Sequence, residues 1–299
     1  MSKNSRFTGV IDVHHMVFFE ASIGIIANTV LFLFHVLPFL LQHRHRPTDL
    51  TIGHLALIHI VLLITEGFLA IDILGYWHLG DDITCTSVVY LNRLMQNISI
   101  CTTCLLSVLQ AITLSPRTSC LAKFKQKSLH QVLCCFLFLW VLNMLISSRF
   151  LISTVASSNV TSHGLMFLTK SCSLWSISSF LKYMFFSLMV FHYMSWIGLM
   201  VLSSGYMVIL LRRHKRQSQH LHSTSLSSKA SPEERATRTI LLLMSFFIIM
   251  YCLDYVIYSM SSITWKYNPF HHCVLMLVSN AYATVSPLVL ISSKRRMIK

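Results

Sequence analysis

The stretch Leu50–Leu74, LTIGHLALIHIVLLITEGFLAIDIL, decides the fold. At 1.5 Å rise per residue a helix of this length crosses a hydrocarbon core about 30 Å thick, and the run lacks the strict alternation of a strand. Working outward along the chain, six more runs of the same kind stand between charged or turn-forming segments. The spans fall at approximately Val17–Leu41, Leu50–Leu74, Thr86–Leu114, Gln131–Thr154, Met184–Leu211, Thr239–Ser262 and His271–Ser292. Helices are expected over a barrel, because each run far exceeds a membrane strand in length. Of the 299 residues 54% are hydrophobic and only 11% charged, where a soluble domain carries about 25% charged residues. Mean hydropathy is +0.63. This excludes a water-soluble enzyme, and 9 glycines and 6 prolines are too few for a collagen-like or disordered polymer. The expected fold class is all-α, a single seven-transmembrane helix bundle over residues 1–299.

Seven spans put the two ends of the chain on opposite sides of the membrane, and the distribution of Lys and Arg chooses between them. The segments after spans one, three, five and seven carry Arg44 and Arg46, then Arg117, Lys123, Lys125 and Lys127, then the Arg212–Arg238 stretch, then Lys294, Arg295, Arg296 and Lys299. The other side holds only Lys3, Arg6, Arg149, Lys170, Lys182 and Lys266, while Arg93 lies within a span. The N-terminus is therefore expected outside and the C-terminus in the cytoplasm. The net charge of +14 follows this membrane pattern, and no nucleic-acid partner is expected. Met1–Glu20 carries Asp12 and Glu20 without a short apolar core before a small-residue cleavage site, so it does not read as a cleaved signal peptide.

Two marks agree with that orientation. Asn159-Val160-Thr161 is an N-glycosylation acceptor in the loop between spans four and five, which the charge rule places outside. The sequon at Asn97 sits mid-span and is expected to be inaccessible. Of the nine cysteines, Cys101, Cys104, Cys134, Cys135 and Cys252 fall in apolar runs and pack as small hydrophobes. Cys85, opening span three, and Cys172, in the same outer loop as Asn159, both reach the oxidising side, where a disulfide can form; the alternative is two unpaired thiols.

The longest hydrophilic stretch, 212–238, is the third cytoplasmic loop. Its end, Ser231-Pro232-Glu233-Glu234, offers a Ser N-cap, a proline at the first helical position and acidic residues behind it, so helix six is expected to start in the cytosol. No internal repeat or matched pair of broken helices appears, which weakens a transporter reading.

Ionisable groups within a bilayer are costly, so their depth is informative. Arg93 lies eight residues past Cys85, about 12 Å inward at helical rise. Glu20, Glu66 and Asp254 also fall in the outer half. A water-filled cavity open to the outside accounts for this, with Asn92, Arg93 and Gln96 on helix three, His192 on helix five, and Asp254, Tyr255 and Tyr258 on helix six as candidate lining. Two roles stand open for Arg93: acceptor for an anionic ligand group, or internal partner of Glu66 or Asp254. His35, His54 and His59 lie nearer the cytoplasm and read as packed, hydrogen-bonded residues. A metal site, a cofactor and enzymatic activity are not expected, since no H-E-x-x-H set, G-x-S-x-G elbow or phosphate-binding glycine loop is present.

Seven helices with a cysteine opening helix three and another in the second outer loop resemble a G-protein-coupled receptor. The usual rhodopsin-like signatures are absent: Leu109-Gln110-Ala111 stands in the place of Asp-Arg-Tyr, Tyr251-Cys252-Leu253-Asp254 has no proline, and Ser286-Pro287-Leu288-Val289-Leu290 replaces Asn-Pro-x-x-Tyr. The stretch from Leu105 to Arg117, LLSVLQAITLSPR, resembles the end of helix three in vomeronasal type-1 receptors. The resemblance extends over nearly the whole chain through Gly24-Ile25-Ile26-Ala27-Asn28, Ser231-Pro232-Glu233-Glu234-Arg235-Ala236 and Ser286-Pro287. Bitter taste receptors share the spacing of Glu20, Gly24 and Asn28 but do not usually carry the helix-three motif or the Cys85–Cys172 pair.

The resemblance implies a pheromone receptor in the plasma membrane, binding a small organic ligand such as a steroid conjugate and coupling to a heterotrimeric G protein of the inhibitory class. The arginine lock of rhodopsin-like receptors cannot operate at Gln110. Candidate G-protein contacts are Arg117, Arg212, Arg213, Arg235 and Arg238, for which attraction to anionic lipid is the simpler reading. A bitter taste receptor is the alternative within the class, and a transporter or channel the alternative outside it.

Overall fold

The computed structural model describes residues 3–41, 47–74, 81–116, 129–156, 166–167, 169, 171–174, 178–221, 241–242, 244–253, 256 and 269–298. Among them the helices are α1 (Lys3–Leu41), α2 (Pro47–Leu74), α3 (Asp82–Leu114), α4 (Leu129–Ser147), α5 (Arg149–Ser153), α6 (Ser179–Leu221), α7 (Met244–Leu253) and α8 (Pro269–Ile298). Six helical stretches, with α4 and α5 joined as one, are long and apolar enough to cross a membrane, and α7 is a shorter apolar helix. This is a helical membrane bundle consistent with a seven-span receptor.

Its surface and interior are sorted for lipid. Phe19, Ile26, Phe138, Leu145, Phe191 and Leu202 are exposed, while Asn28, His59, Asp72, Asn92, Asn143 and Asn280 are buried. In water such a surface would aggregate. In hydrocarbon it is the expected arrangement, because apolar side chains lose nothing there and polar groups must find partners between helices.

The start of α3 is set locally. Asp81, with extended backbone angles, caps the helix by accepting from the Thr84 backbone N–H at 3.3 Å. Four residues on, Cys85 bonds to Cys172 with a Cα–Cα distance of 5.7 Å. At the far end Ser115 and Pro116 close the helix, and the Ser115 hydroxyl lies 2.9 Å from that of Tyr206 on α6.

The fourth span departs from the continuous run expected over 131–154. α4 stops at Ser147, and both the backbone N–H and the hydroxyl of Ser148 donate to the Leu145 carbonyl at 3.3 and 2.7 Å. The chain then makes the single turn of α5 and enters strand β1 (Thr154–Ala156), which pairs antiparallel with β3 (Cys172–Leu174); β2 (Met166–Phe167) pairs on the other edge of β3. Ala156 lies opposite Cys172 in this register, so the disulfide anchors the small sheet on the end of α3. Asn159, the candidate glycosylation site between β1 and β2, is outside the described residues, as are Arg117, Arg235, Arg238, Asp254, Tyr255, Tyr258 and the Ser231–Glu234 cap.

Asp72 holds the same sheet from below. Fully buried near the end of α2, it accepts from the hydroxyls of Thr169 and Ser171 and from the Ser171 backbone N–H at 3.0 Å. The Cys172 backbone N–H in turn donates to the Thr169 hydroxyl at 3.1 Å. One carboxylate and one disulfide thus fasten the sheet to two helices.

α1, α2 and α8 meet at Gly24. A Cβ there would stand 2.6 Å from Leu63 Cδ1 on α2, 2.6 Å from Thr284 Oγ1 and 3.4 Å from the Thr284 Cα on α8. Asn28, one turn on, clamps the contact by donating to the carbonyls of Gly24 and Ala283, each at 2.8 Å. The Leu63 methyl can rotate away, whereas turning the Thr284 hydroxyl aside gives up its bond to the Glu20 carbonyl and leaves the Thr284 Cα in place. Gly24→Ala is expected to lower stability by about 1–3 kcal/mol through overpacking. Gly67→Ala, at a position with nothing within 4 Å of the added carbon, is expected to be neutral or slightly stabilising. Thermal unfolding of the purified variants in detergent checks both, and equal melting temperatures would refute the close contact.

Candidate ligand-binding site

α3 is the axis on which the candidate residues are arranged. Its turn at Asn92 to Asn97 carries four amide or guanidinium side chains, and α-helical geometry sends neighbouring residues toward different helices. Asn92, buried, turns to α2, where its Nδ2 donates to Glu66 Oε1 at 3.0 Å and Thr65 Oγ1 at 3.2 Å. Arg93 is half-buried; its Nη1 donates to Gln96 Oε1 at 2.9 Å and its guanidinium carbon lies 5.9 Å from the centre of the Phe150 ring on α5. The Arg149 guanidinium lies 4.4 Å from that same ring. Two guanidiniums thus lie against one aromatic ring, at the end of the bundle bearing the disulfide.

Asn97 faces the other way. Its Nδ2 donates to Ser147 Oγ on α4 at 3.1 Å and its Oδ1 accepts from the Tyr193 hydroxyl on α6 at 3.2 Å. The side chain is 1% exposed, so this sequon is inaccessible, as its mid-span position implies.

His192 belongs to a deeper layer than Arg93. Its Nε2 lies 3.8 Å from Cys101 Sγ, and its Nδ1 accepts from Trp196 Nε1 at 3.2 Å. Cys101 is eight residues beyond Arg93, about 12 Å further along α3. The structure therefore brings Arg93 and Gln96 together, turns Asn92 to Glu66 on α2, and places His192 in a separate packed cluster with Asn143, which donates to Cys101 Sγ at 3.5 Å.

Between these layers lies a polar group that the sequence reading did not assemble. Ser99 Oγ is 2.9 Å from His59 Nε2 on α2 and 3.2 Å from the Tyr251 hydroxyl on α7, while His59 Nδ1 is 3.4 Å from Ser286 Oγ on α8. Tyr251 and Tyr282 pack with ring centres 4.7 Å apart. Four helices share this contact. Asp72, Phe150 and Asn280 were also passed over, since a single Asp, Phe or Asn in an apolar run gives no spacing signal.

The Cys101-Thr102-Thr103-Cys104 sequence has a C-x-x-C spacing that the sequence reading passed over. Both thiols are buried and free on α3, and among the described residues no group of three or more His, Cys, Asp or Glu side chains is placed to hold a metal ion. Cys134 and Cys252 face outward rather than packing inside. A groove of about 530 Å³ runs along α6 at Phe180, Tyr183, Met184, Ser187, Leu188 and Phe191 and includes none of the candidate ligand residues. Arg212 and Arg213, near the far end of α6, are exposed.

Comparison with known proteins places these features in a family context. The model of the vomeronasal organ pheromone receptor family matches residues 11–299. The chain is 52% identical over 297 residues to vomeronasal type-1 receptor 90 of Rattus norvegicus, covering 99% of this chain and 96% of that protein. It is 46% identical over 298 residues to vomeronasal type-1 receptor 51 of Mus musculus, covering 100% of this chain and 93% of that protein.

The Asn92–Glu66 bond gives the sharpest test of the site's geometry. Asn92→Leu is expected to cost about 2–4 kcal/mol, since it removes the amide that donates to a buried carboxyl, whereas Arg213→Ala at an exposed position should change stability by under about 0.5 kcal/mol. Melting temperatures in detergent measure both, and a neutral Asn92→Leu would contradict the geometry.

Proposed function

Since the chain belongs to the vomeronasal organ pheromone receptor family, a family of chemosensory receptors that are multi-pass proteins of the plasma membrane, we propose that it binds a small organic pheromone-like ligand in an outward-facing cavity of the bundle and activates a heterotrimeric G protein of the inhibitory class. The ligand enters between helices three, five, six and seven. Asn92, Arg93 and Gln96 form its polar wall, Asp254, Tyr255 and Tyr258 contribute from helix six, and His192 closes the floor. The observation that carries this reading is the pair of guanidiniums at the Phe150 ring, because an arginine next to an aromatic ring suits a sulfate or carboxylate group such as a steroid conjugate carries.

Signalling requires that the ligand bind one helix arrangement better than another. The Ser99, His59, Tyr251 and Ser286 contact is the natural place for two arrangements to differ, because it joins α7 to α2, α3 and α8 through hydroxyl and imidazole groups. Releasing Tyr251 lets the sixth span swing outward. The N-terminus is outside in this reading, and Arg117, Arg212, Arg213, Arg235 and Arg238 border the cytoplasmic crevice that receives the G protein.

Ligand-evoked responses in cells expressing the receptor test the proposal. Arg93→Ala is expected to raise the half-maximal concentration of sulfated or carboxylated ligands by about tenfold or more, the worth of one charge-assisted bond, and to leave neutral ligands unchanged. Responses should disappear with an inhibitor of inhibitory-class G proteins. Currents that persist under that inhibitor would favour a channel, and equal loss for neutral and anionic ligands would make Arg93 a packing residue.

A further inference from the structure

α4 enters the bundle at the end opposite the disulfide, since its other end runs through α5 into the strand that pairs with Cys172. In sequence it follows Lys123, Lys125 and Lys127, the kind of basic flank that marks the cytoplasmic face of a membrane. Cys134 stands one turn into this helix, four residues past His130, where the candidate span begins. At helical rise it is about 6 Å inside the span, near the boundary between headgroups and acyl chains. Cysteines at such a boundary are the usual acceptors of reversible acylation.

Position alone would not distinguish this thiol, but its surroundings do. Cys134 is free and exposed, whereas Cys101 and Cys104 are free but buried. His130 is exposed as well, and its Nδ1 lies 3.4 Å from Cys134 Sγ. With its proton on Nε2, the imidazole accepts the S–H at Nδ1 and so favours the thiolate, the nucleophilic form of cysteine. Beyond Cys134, the side chains of Leu137, Phe138, Val141 and Leu145 are all exposed. Spacings of three, four, seven and eleven residues from Cys134 put them on one face of α4. They form an apolar track about 16 Å long that starts at the sulfur and runs into the membrane. Cys135 is half-buried and turned about 100° from this track. Cys252, also exposed, stands thirteen residues past the start of the expected span at 239–262, about 20 Å from the cytosol.

We propose that Cys134 is a site of S-acylation, carrying a long-chain fatty acid in thioester linkage with the chain lying along the exposed track of α4. The donor is a long-chain acyl thioester, such as acyl-coenzyme A, at the cytoplasmic leaflet. The Cys134 S–H proton passes to His130 Nδ1 and the sulfur attacks the acyl carbonyl carbon. A new carbon–sulfur bond forms as the donor's breaks, the leaving thiolate takes up the proton, and nothing is oxidised or reduced. The site rests on the orientation proposed above, with the N-terminus outside, and on no property of the ligand or the G protein.

The test is metabolic labelling of cells expressing the full-length receptor with an alkyne analogue of palmitate, the label being normalised to receptor protein. Wild type is expected to carry label that neutral hydroxylamine removes, because hydroxylamine cleaves a thioester and leaves an amide intact. Cys134→Ser is expected to lose that label, while Cys135→Ser, Cys252→Ser and Cys120→Ser, the last outside the described residues, keep it. His130→Gln is expected to slow incorporation, and an unchanged rate would overturn the proton path. A wild-type receptor without hydroxylamine-labile label overturns the proposal whether or not the variants fold, and so does label that survives Cys134→Ser at the wild-type level. A C-terminal epitope tells this failure from that of the receptor reading. Stained only after permeabilisation, it leaves the orientation standing and the acylation site alone fails; reachable on intact cells, it removes the orientation and the site together.

Discussion

A polar group inside hydrocarbon has no water to fall back on, and this constraint organises the bundle more than any apolar contact does. Lipid tails are as apolar as leucine, so burying Leu against Leu supplies little drive for helices to associate. What distinguishes the interior here is the polar seam along α3. Asn92 reaches α2, Asn97 reaches α4 and α6, Ser99 reaches α2 and α7, and Ser107 meets Ser203 of α6 at 2.6 Å. Each bond is worth only about 1 kcal/mol in a membrane, but each also fixes a rotational setting of one helix against another. Rotating α3 by one residue, about 100°, would break this whole set of bonds at once.

The same constraint explains why the two ends of the bundle are built differently. At the disulfide end, backbone leaves the helices and must be satisfied by other means. The three short strands pair with each other, and Asp72 accepts from the loop that leads to Cys172. A carboxylate is suited to this, because it accepts several bonds at once and each is strengthened by its charge. The covalent bond at Cys85 then fixes the sheet over α3. α7 is held by a different kind of contact, in which the Tyr251 hydroxyl meets Ser99 and the rings of Phe247 and Tyr251 pack on Tyr282.

Much of the fold was legible in the sequence, because span length and charge placement are one-dimensional signals. The six long helices and the two bridging cysteines follow from runs, flanks and compartment. The break at Ser148 did not announce itself. Serine is compatible with a helix, and only its two bonds to the Leu145 carbonyl show the chain turning. The candidate site was legible in part. Arg93 and Gln96 are three residues apart on one helix, so sequence spacing brings them together, whereas the partner of Asn92 on α2 and the depth of His192 relative to α3 depend on how the helices pack, which no local pattern encodes. Asn280 and Asp72 were invisible for a related reason, since what surrounds them comes from elements far away in the chain, the 169–171 loop in the case of Asp72.

The histidines show what a packed polar residue means at the level of single protons. A neutral imidazole has one N–H donor and one acceptor nitrogen, so two neighbours can fix its tautomer. Trp140 Nε1 donates to His54 Nε2 at 3.0 Å, which leaves Nδ1–H to donate to the Thr102 hydroxyl at 3.4 Å. Trp196 Nε1 donates to His192 Nδ1, so Nε2–H points to the Cys101 sulfur. In both cases an indole, which can only donate, forces the choice. His59 is different, because Ser99 and Ser286 can each donate or accept, and the Tyr251 hydroxyl shares Ser99. Two arrangements of hydrogens satisfy that chain equally well. Of these three histidines, the one that joins the most helices is thus also the one whose bonding pattern is not fixed by a one-way donor, and it can reverse direction without any helix losing a partner.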